Sequence, residues 1–371
     1  LAEQGDDSQA DRELARAIAV LRPLARQQTP AAMLAQSHNV HGTVLERLGR
    51  LDQAGQAYQA AAQCCETLLP KNGALPLELR ALADHLLEAL EPWANLDEAR
   101  QRYSESESHL RDALALLERI VEAFPDDVGA RMARLRVLSN LGTFLARRER
   151  FDESTTVLER MVDDAEPWLG HEDPIVRGRA AEYLGGALGS LASNRMRDQH
   201  FARGEPLLRR SIDLLKHELQ RDPKLENAPR FLENNRFELL GCLIGQRKLR
   251  EASSVIDDLF SAAKPRGVTV NLLANIALQE ADAADQAQDP REQAYWLERA
   301  LSRIQALART GIFQRMPDLA WQLHHGRPWK AARGRVEFEG LFGDLMMPNQ
   351  PFLEPRRGEN PSSPGTPGAD P

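Results

Sequence analysis

The sequence predicts an all-α fold, a solenoid of stacked helix hairpins, and three observations support it. The composition is rich in Ala, Leu, Arg, Glu and Gln and poor in Val, Ile and Tyr, which favours helix over sheet. Most prolines fall between the apolar-periodic segments. The stretch 139–162 predicts one helix, a charged turn at 148–150, and a second helix with Ser154, Leu158 and Met161 at helical spacing. Neither helix could bury its apolar face alone, so the unit requires neighbours of its own kind.

Apolar periodicity predicts one helix at 11–28 and then six helix pairs. The predicted pairs are 31–48 with 52–69, 75–91 with 97–124, 131–147 with 151–166, 173–194 with 201–220, 227–246 with 250–263, and 269–285 with 291–309. We therefore expect residues 1–30 to hold the second helix of a truncated pair, and residues 31–309 to hold the repeat array.

The pattern loosens after residue 309. Two amphipathic segments, 317–325 and 335–346, predict capping helices within 310–347. From 348 to 371 the chain consists mainly of Pro, Gly, Ser and charged residues. Such a segment cannot bury enough apolar surface to offset its ordering entropy, so we expect a disordered tail.

Small residues recur at fixed places in the hairpins. Gly42 allows the helices of the first full pair to approach closely, Ala54 and Ala61 do so from the partner helix, and Tyr58 fills the gap. Equivalent positions hold Leu141, Gly142, Ser154 and Leu158 in the third pair, and Leu240, Gly241, Ala252 and Ile256 in the fifth. This arrangement resembles the tetratricopeptide repeat (TPR), a helix pair of about 34 residues. The resemblance implies a right-handed superhelix whose first helices line a concave groove.

Polar residues on the first helices are the candidate binding residues, because the resemblance places those helices along the groove. Asn140 stands where peptide-binding members of the family often place an Asn that grips the ligand backbone. Arg136 and Arg147 lie on the same helix face, and arginine binds carboxylates bidentately, so an acidic segment is a candidate ligand. The other candidates are Gln36, Asn39, Thr43, Arg47, Thr143, Asn235 and Glu238. The alternative is a solvated polar face that binds nothing.

A second resemblance concerns the end of the array. The segment 297–345 is similar to the closing part of repeat arrays in planctomycete-type bacterial proteins, many of which form the C-terminal half of serine/threonine protein kinases. It implies an alternative function, the regulatory or interaction region of such a kinase. The sequence contains no His-Arg-Asp loop, no Asp-Phe-Gly motif and no phosphate-binding Gly-rich loop after a strand, so any kinase catalysis would lie outside these residues.

Other classes of chemistry find little support. The net charge of −8 gives no electrostatic footprint for nucleic acid, and no apolar run approaches the roughly 20 residues that span a bilayer. Three cysteines are too few for a disulfide framework and are compatible with a cytoplasmic location, or with part of a membrane-tethered kinase.

Two motifs suggest ligands but are better explained by packing. His38 and His41 have no carboxylate or cysteine at metal-ligand spacing. Gly185, Gly186 and Gly189 lie inside an apolar helical pattern with no strand before them, which favours close helix packing over a nucleotide loop. We therefore expect no catalytic residue, metal or cofactor, and a protein or peptide partner whose identity the sequence leaves open, as it does the oligomeric state.

Overall fold

The computed structural model describes residues 6–70, 73, 75–263, 269–325 and 328–346. Within those residues all regular structure is helical, with sixteen α-helices, a few 3-10 turns and no strand. The predicted all-α fold is confirmed. The chain divides into two compact units, Leu1–Glu238 and Leu239–Pro371.

The first unit is a series of antiparallel helices, and from the first to the ninth each helix packs against the next along the chain. Its helices are α1 (Asp7–Leu21), α2 (Gln28–Arg47), α3 (Leu51–Glu66), α4 (Arg80–Ala99), α5 (Tyr103–Ala123), α6 (Val128–Arg147), α7 (Phe151–Ala165), α8 (Pro174–Met196) and α9 (Phe201–Arg221), followed by α10 (Ala228–Gly245), which begins in this unit and ends in the next. First helices of neighbouring pairs also touch, α2 with α4 and α6 with α8. They therefore form a layer of their own, as stacked hairpins require.

Two prolines change the predicted boundaries in opposite ways. The first helix ends at Leu21 rather than at residue 28, because Arg22–Leu24 forms a 3-10 turn around Pro23, which has no N–H to continue the helix. By contrast, α4 runs through Pro92 to Ala99, and the predicted break at 92–96 is wrong. Leu90, Ala94 and Leu96 are buried on both sides of Pro92, so packing holds this helix together despite the lost hydrogen bond.

Small residues let the two helices of a hairpin approach. A Cβ on Gly42 would lie 2.5 Å from Cε1 of Tyr58, and one on Gly142 would lie 2.7 Å from Cδ2 of Leu158. Ala54, Ala61 and Ser154 are buried on the facing helices and complete these contacts. The glycine and the small residue are twelve positions apart in both hairpins, 42 to 54 and 142 to 154.

The fifth pair departs from this rule at Gly241. A Cβ there would meet only Gln279, at 3.7 Å, so Gly241 is not a point of close approach. The turn of this pair is one residue shorter, which places Leu240, and not Gly241, twelve positions before the buried Ala252. Leu240 is fully buried.

The second unit continues with further helices and contains a cluster of buried aromatic side chains. They are α11 (Leu249–Ala263), α12 (Val270–Gln286), α13 (Pro290–Arg309), α14 (Ile312–Arg315), α15 (Pro317–His325) and α16 (Val336–Met346). Trp296 and Trp329 are buried, and the ring of Phe338 lies between Trp329 and Phe342 with centroid distances of 5.0 and 5.3 Å. The segment 348–371, where we expect disorder, lies outside the described residues.

Candidate functional site

A hollow of about 610 Å³, the first hollow, opens between α2, α4 and α6. Five of the ten predicted binding residues line it, namely Gln36, Asn39, Thr43, Arg136 and Asn140. Apolar surface is contributed by Val40, which is 42% exposed, and by Pro92. The structure thus brings polar residues of two sequence-distant hairpins to one hollow.

A second hollow, of about 560 Å³, lies between α6, α8 and the start of α10. Arg136 and Asn140 line both hollows, so the two adjoin along α6. We call the two together the groove. Sequence reasoning missed the residues of α8 that line it, although a signal existed. Arg179 and Tyr183 stand six and two positions before Gly185, as Arg136 and Asn140 stand before Gly142.

Asn39 and Asn140, the two predicted asparagines of the first hollow, differ in what they bind. Asn39 is buried, and its Nδ2 donates a 2.8 Å hydrogen bond to the carbonyl oxygen of His85 on α4. Asn140 is half-buried, and its side-chain amide makes no hydrogen bond within the described part of the chain. Asn39 therefore joins α2 to α4, while the donors and acceptor of Asn140 are available to a ligand.

The two predicted arginines of α6 are held by glutamates of α4. Arg136 donates two hydrogen bonds to Glu91, at 2.9 and 2.8 Å, and Arg147 donates two to Glu98, at 2.9 and 2.7 Å. The bonds to Glu91 raise the pKa of Arg136. An acidic ligand would have to share these guanidinium groups with the glutamates, so they are not a free carboxylate clamp.

The remaining predicted residues lie outside both hollows. Arg47 pairs with Asp7 of α1 at 2.7 Å. Thr143 is half-buried on α6, and Glu238 is exposed at the end of the first unit. Asn235 is 5% exposed and faces the interior, where it contacts α8 and α9.

Asn235 belongs to a buried hydrogen-bond motif that occurs twice among the described residues of the first unit. Its Nδ2 donates to the hydroxyl of Ser211 at 2.6 Å and to the carbonyl of Gly185 at 3.1 Å, and Ser211 itself donates to that carbonyl at 2.8 Å. In the preceding repeat Asn194 donates to Ser154 at 2.9 Å, and Ser154 donates to the Gly142 carbonyl at 2.8 Å. Each motif joins a hairpin to a neighbouring helix.

Replacing Asn235 with leucine should lower the free energy of unfolding by about 2 kcal/mol. The buried Ser211 hydroxyl and the Gly185 carbonyl would both lose the hydrogen bond that the Asn235 amide donates. The matched control is Asn234→Leu, an exposed neighbour on the same helix, which should stay within about 0.5 kcal/mol of the wild type. Urea unfolding followed by circular dichroism measures both. Equal shifts for the two variants would show that the buried motif contributes nothing.

Neither a metal site nor a membrane-spanning helix is found among the residues that the structure describes. His38 is buried, and burial lowers its pKa to about 4, while His41 contacts Asp11 at 2.7 Å. No group of three His, Cys, Asp or Glu side chains suited to a metal ion occurs among the residues that the structure describes. In the same residues, every helix is too short or too polar to cross a bilayer.

Comparison with known proteins concerns the fold. No protein-family model and no curated protein matches the chain. Among solved structures it is similar to BtubC (BKLC) from P. vanneervenii, with a TM-score of 0.52 and 13% identity, covering 71% of this chain and 94% of that one. It is also similar to a putative kinesin light chain with TPR-like repeats from Podosopora anserina (TM-score 0.41, 14% identity, 63% and 97% covered). A further likeness is to the S. pombe nuclear import adaptor Nro1 (TM-score 0.43, 13% identity, 77% and 95% covered). With its stacked hairpins, the chain has a TPR-like α-solenoid fold.

Proposed function

We propose that this chain is a non-catalytic interaction scaffold that binds an extended segment of a partner protein in the groove of its first unit. The observation that carries the proposal is the position of Asn140. Its amide has no partner among the described residues and lies where the two hollows meet. An extended peptide presents a backbone N–H and C=O at every residue, and a carboxamide can bind both.

The other predicted binding residues divide into those that would contact a ligand and those that support the helices. Gln36 and Thr43 are exposed at the wall of the first hollow and would contact a ligand together with Asn140. Asn39 and Asn235 bind their own chain and would hold the helices in register. Arg136 and Arg147 join α6 to α4 through glutamates, and Arg136 also faces both hollows.

Two carboxylates of the groove, Glu91 and Glu182, support a binding role over catalysis. General acid–base catalysis requires a titratable group that is free to exchange a proton with a substrate. Glu91 is bound by Arg136, and the buried carboxylate of Glu182 accepts two backbone N–H bonds at the start of α10, at 2.6 and 2.9 Å. These groups are occupied in structural bonds.

The test uses a dodecapeptide selected by phage display of a random library on the immobilised chain, labelled with fluorescein. Asn140→Ala should raise its dissociation constant about tenfold, since the lost hydrogen bonds are worth about 1 to 1.5 kcal/mol. Gln63→Ala, an exposed position on α3 outside the groove, is the control and should leave binding unchanged. Fluorescence polarisation measures the affinity. Unchanged affinity for both variants would contradict groove binding.

A second proposal is that the chain is the interaction region of a serine/threonine kinase. The segment 297–345, whose sequence resemblance suggests this, forms part of α13, then α14 and α15, and most of α16. The encoded sequence preceding residue 1 tests it. An Asp-Phe-Gly motif in a kinase domain there would support the proposal, and its absence would exclude it.

A further inference from the structure

Three cations in the second hollow form no ion pair with any residue that the structure describes. Arg179 of α8, Lys224 of the α9–α10 connection and Arg230 of α10 are exposed and line it. None of the three is within ion-pairing distance of a carboxylate in the described part of the chain. The Arg230 guanidinium donates a 3.4 Å hydrogen bond to Oδ1 of Asn227, which is a neutral amide oxygen. On the α6 side of the hollow, by contrast, Arg136 donates two hydrogen bonds to Glu91.

Most carboxylates of the same hollow already accept hydrogen bonds from backbone N–H groups. Glu182 is 7% exposed and accepts the N–H groups of Asn227 and Ala228. Asp222 accepts the N–H of Lys224 at 2.9 Å. Only Glu226 remains exposed without a hydrogen bond among the described residues. Among the described residues of this hollow, Glu226 is therefore the one carboxylate that could still pair with the three cations.

Apolar surface lies beside these cations. The ring of Phe231 packs over α8, 3.3 Å from the point where Gly186 would carry a Cβ, and the Arg230 guanidinium lies 5.2 Å from the centre of that ring. Ile175 is 63% exposed at the start of α8. Burial raises the pKa of Tyr183, which also lines the hollow, and the nearby charges of Arg136 and Arg179 oppose that rise.

We infer that the second hollow binds an acidic segment of the partner protein, with a large apolar side chain next to the acidic residue. The inference rests on the proposed function and names the chemistry of the partner. Carboxylates of the ligand would pair with Arg179, Lys224 and Arg230, and the apolar side chain would cover Phe231 and Ile175. Uncommitted charges at a binding surface also steer association, so the on-rate should fall with added salt.

The experiment sequences the random dodecapeptides that phage display selects on the full chain, and measures a selected peptide by fluorescence polarisation. We expect enrichment of Asp or Glu beside a large apolar residue. The double variant Arg179→Glu/Arg230→Glu should weaken the peptide about tenfold or more, as expected for two exposed ion pairs replaced by repulsion. A peptide with Lys in place of its acidic residues should bind this variant better than it binds the wild type.

The matched control is Arg12→Glu/Arg26→Glu, which changes the net charge equally at exposed arginines outside the hollow and should leave binding unchanged. Peptides that depend on Asn140, show no acidic enrichment and ignore the Arg179/Arg230 double change would overturn this inference and leave the groove proposal standing. Peptides that ignore both Asn140→Ala and the Arg179/Arg230 double change would overturn both proposals.

Discussion

Replacing Gly185 with valine should lower the stability of the first unit by about 3 kcal/mol, the upper end of the usual cost of overpacking a core. A Cβ at Gly185 would lie 2.7 Å from both Cγ and Cδ2 of Leu215, so α9 would have to move away from α8. The carbonyl of Gly185 also accepts hydrogen bonds from Ser211 and Asn235, and the shift would strain them. Three helices meet at this residue, which is why the effect is large.

Hydrogen exchange of peptides from α8, α9 and α10, read by mass spectrometry, measures this effect locally. The control is Gly241→Ala, where the added Cβ has room, and which should stabilise α10 by about 0.5 to 1 kcal/mol because alanine favours helix. Opposite signs for the two glycine substitutions are predicted. Wild-type protection in Gly185→Val would show that the helices do not approach as described.

Replacing Tyr58 with alanine should cost about 3 to 4 kcal/mol, within the range for removing a buried aromatic ring. Tyr58 is 1% exposed and fills the space left by Gly42 on α2. Its hydroxyl lies 3.4 Å from the Thr43 hydroxyl, and burial raises its pKa to about 12. The ring, and not the hydroxyl, accounts for most of the expected loss.

Tyr58→Phe separates these two contributions. It retains the ring and should cost no more than about 1.5 kcal/mol, the usual net worth of one hydrogen bond. The shift in the urea midpoint, at unchanged slope, gives both values. If the alanine and phenylalanine variants unfold at the same midpoint, the ring does not support the hairpin and the TPR-like packing of this pair is misassigned.

The helices were predictable because the burial of their residues follows the 3.6-residue period, but two prolines could not be interpreted from the sequence. Pro23 and Pro92 carry the same local signal, yet one ends a helix region and the other lies inside α4. The difference between the two prolines lies in tertiary packing. Buried Leu90, Ala94 and Leu96 flank Pro92, and a proline rule that sees only neighbours along the chain cannot include that packing.

The groove was predictable in part. Repeat spacing was enough to place Asn140 and Arg136 on one face, and the same spacing applied to α8 would have found Arg179 and Tyr183. The ion pairs were not predictable, because Glu91 and Glu98 lie 45 and 49 residues from Arg136 and Arg147. The burial of Asn235 was equally hidden, since Asn234 beside it is exposed and nothing local separates the two.

Site-specific photo-crosslinking of the selected dodecapeptide tests the central claim most directly. The photoreactive residue p-benzoylphenylalanine would replace either Val40, an exposed apolar side chain in the wall of the first hollow, or Gln63, an exposed residue of α3 outside the groove. Binding along the first helices predicts a covalent adduct from position 40 and none from position 63. An adduct that forms from position 63 and not from position 40 would contradict it.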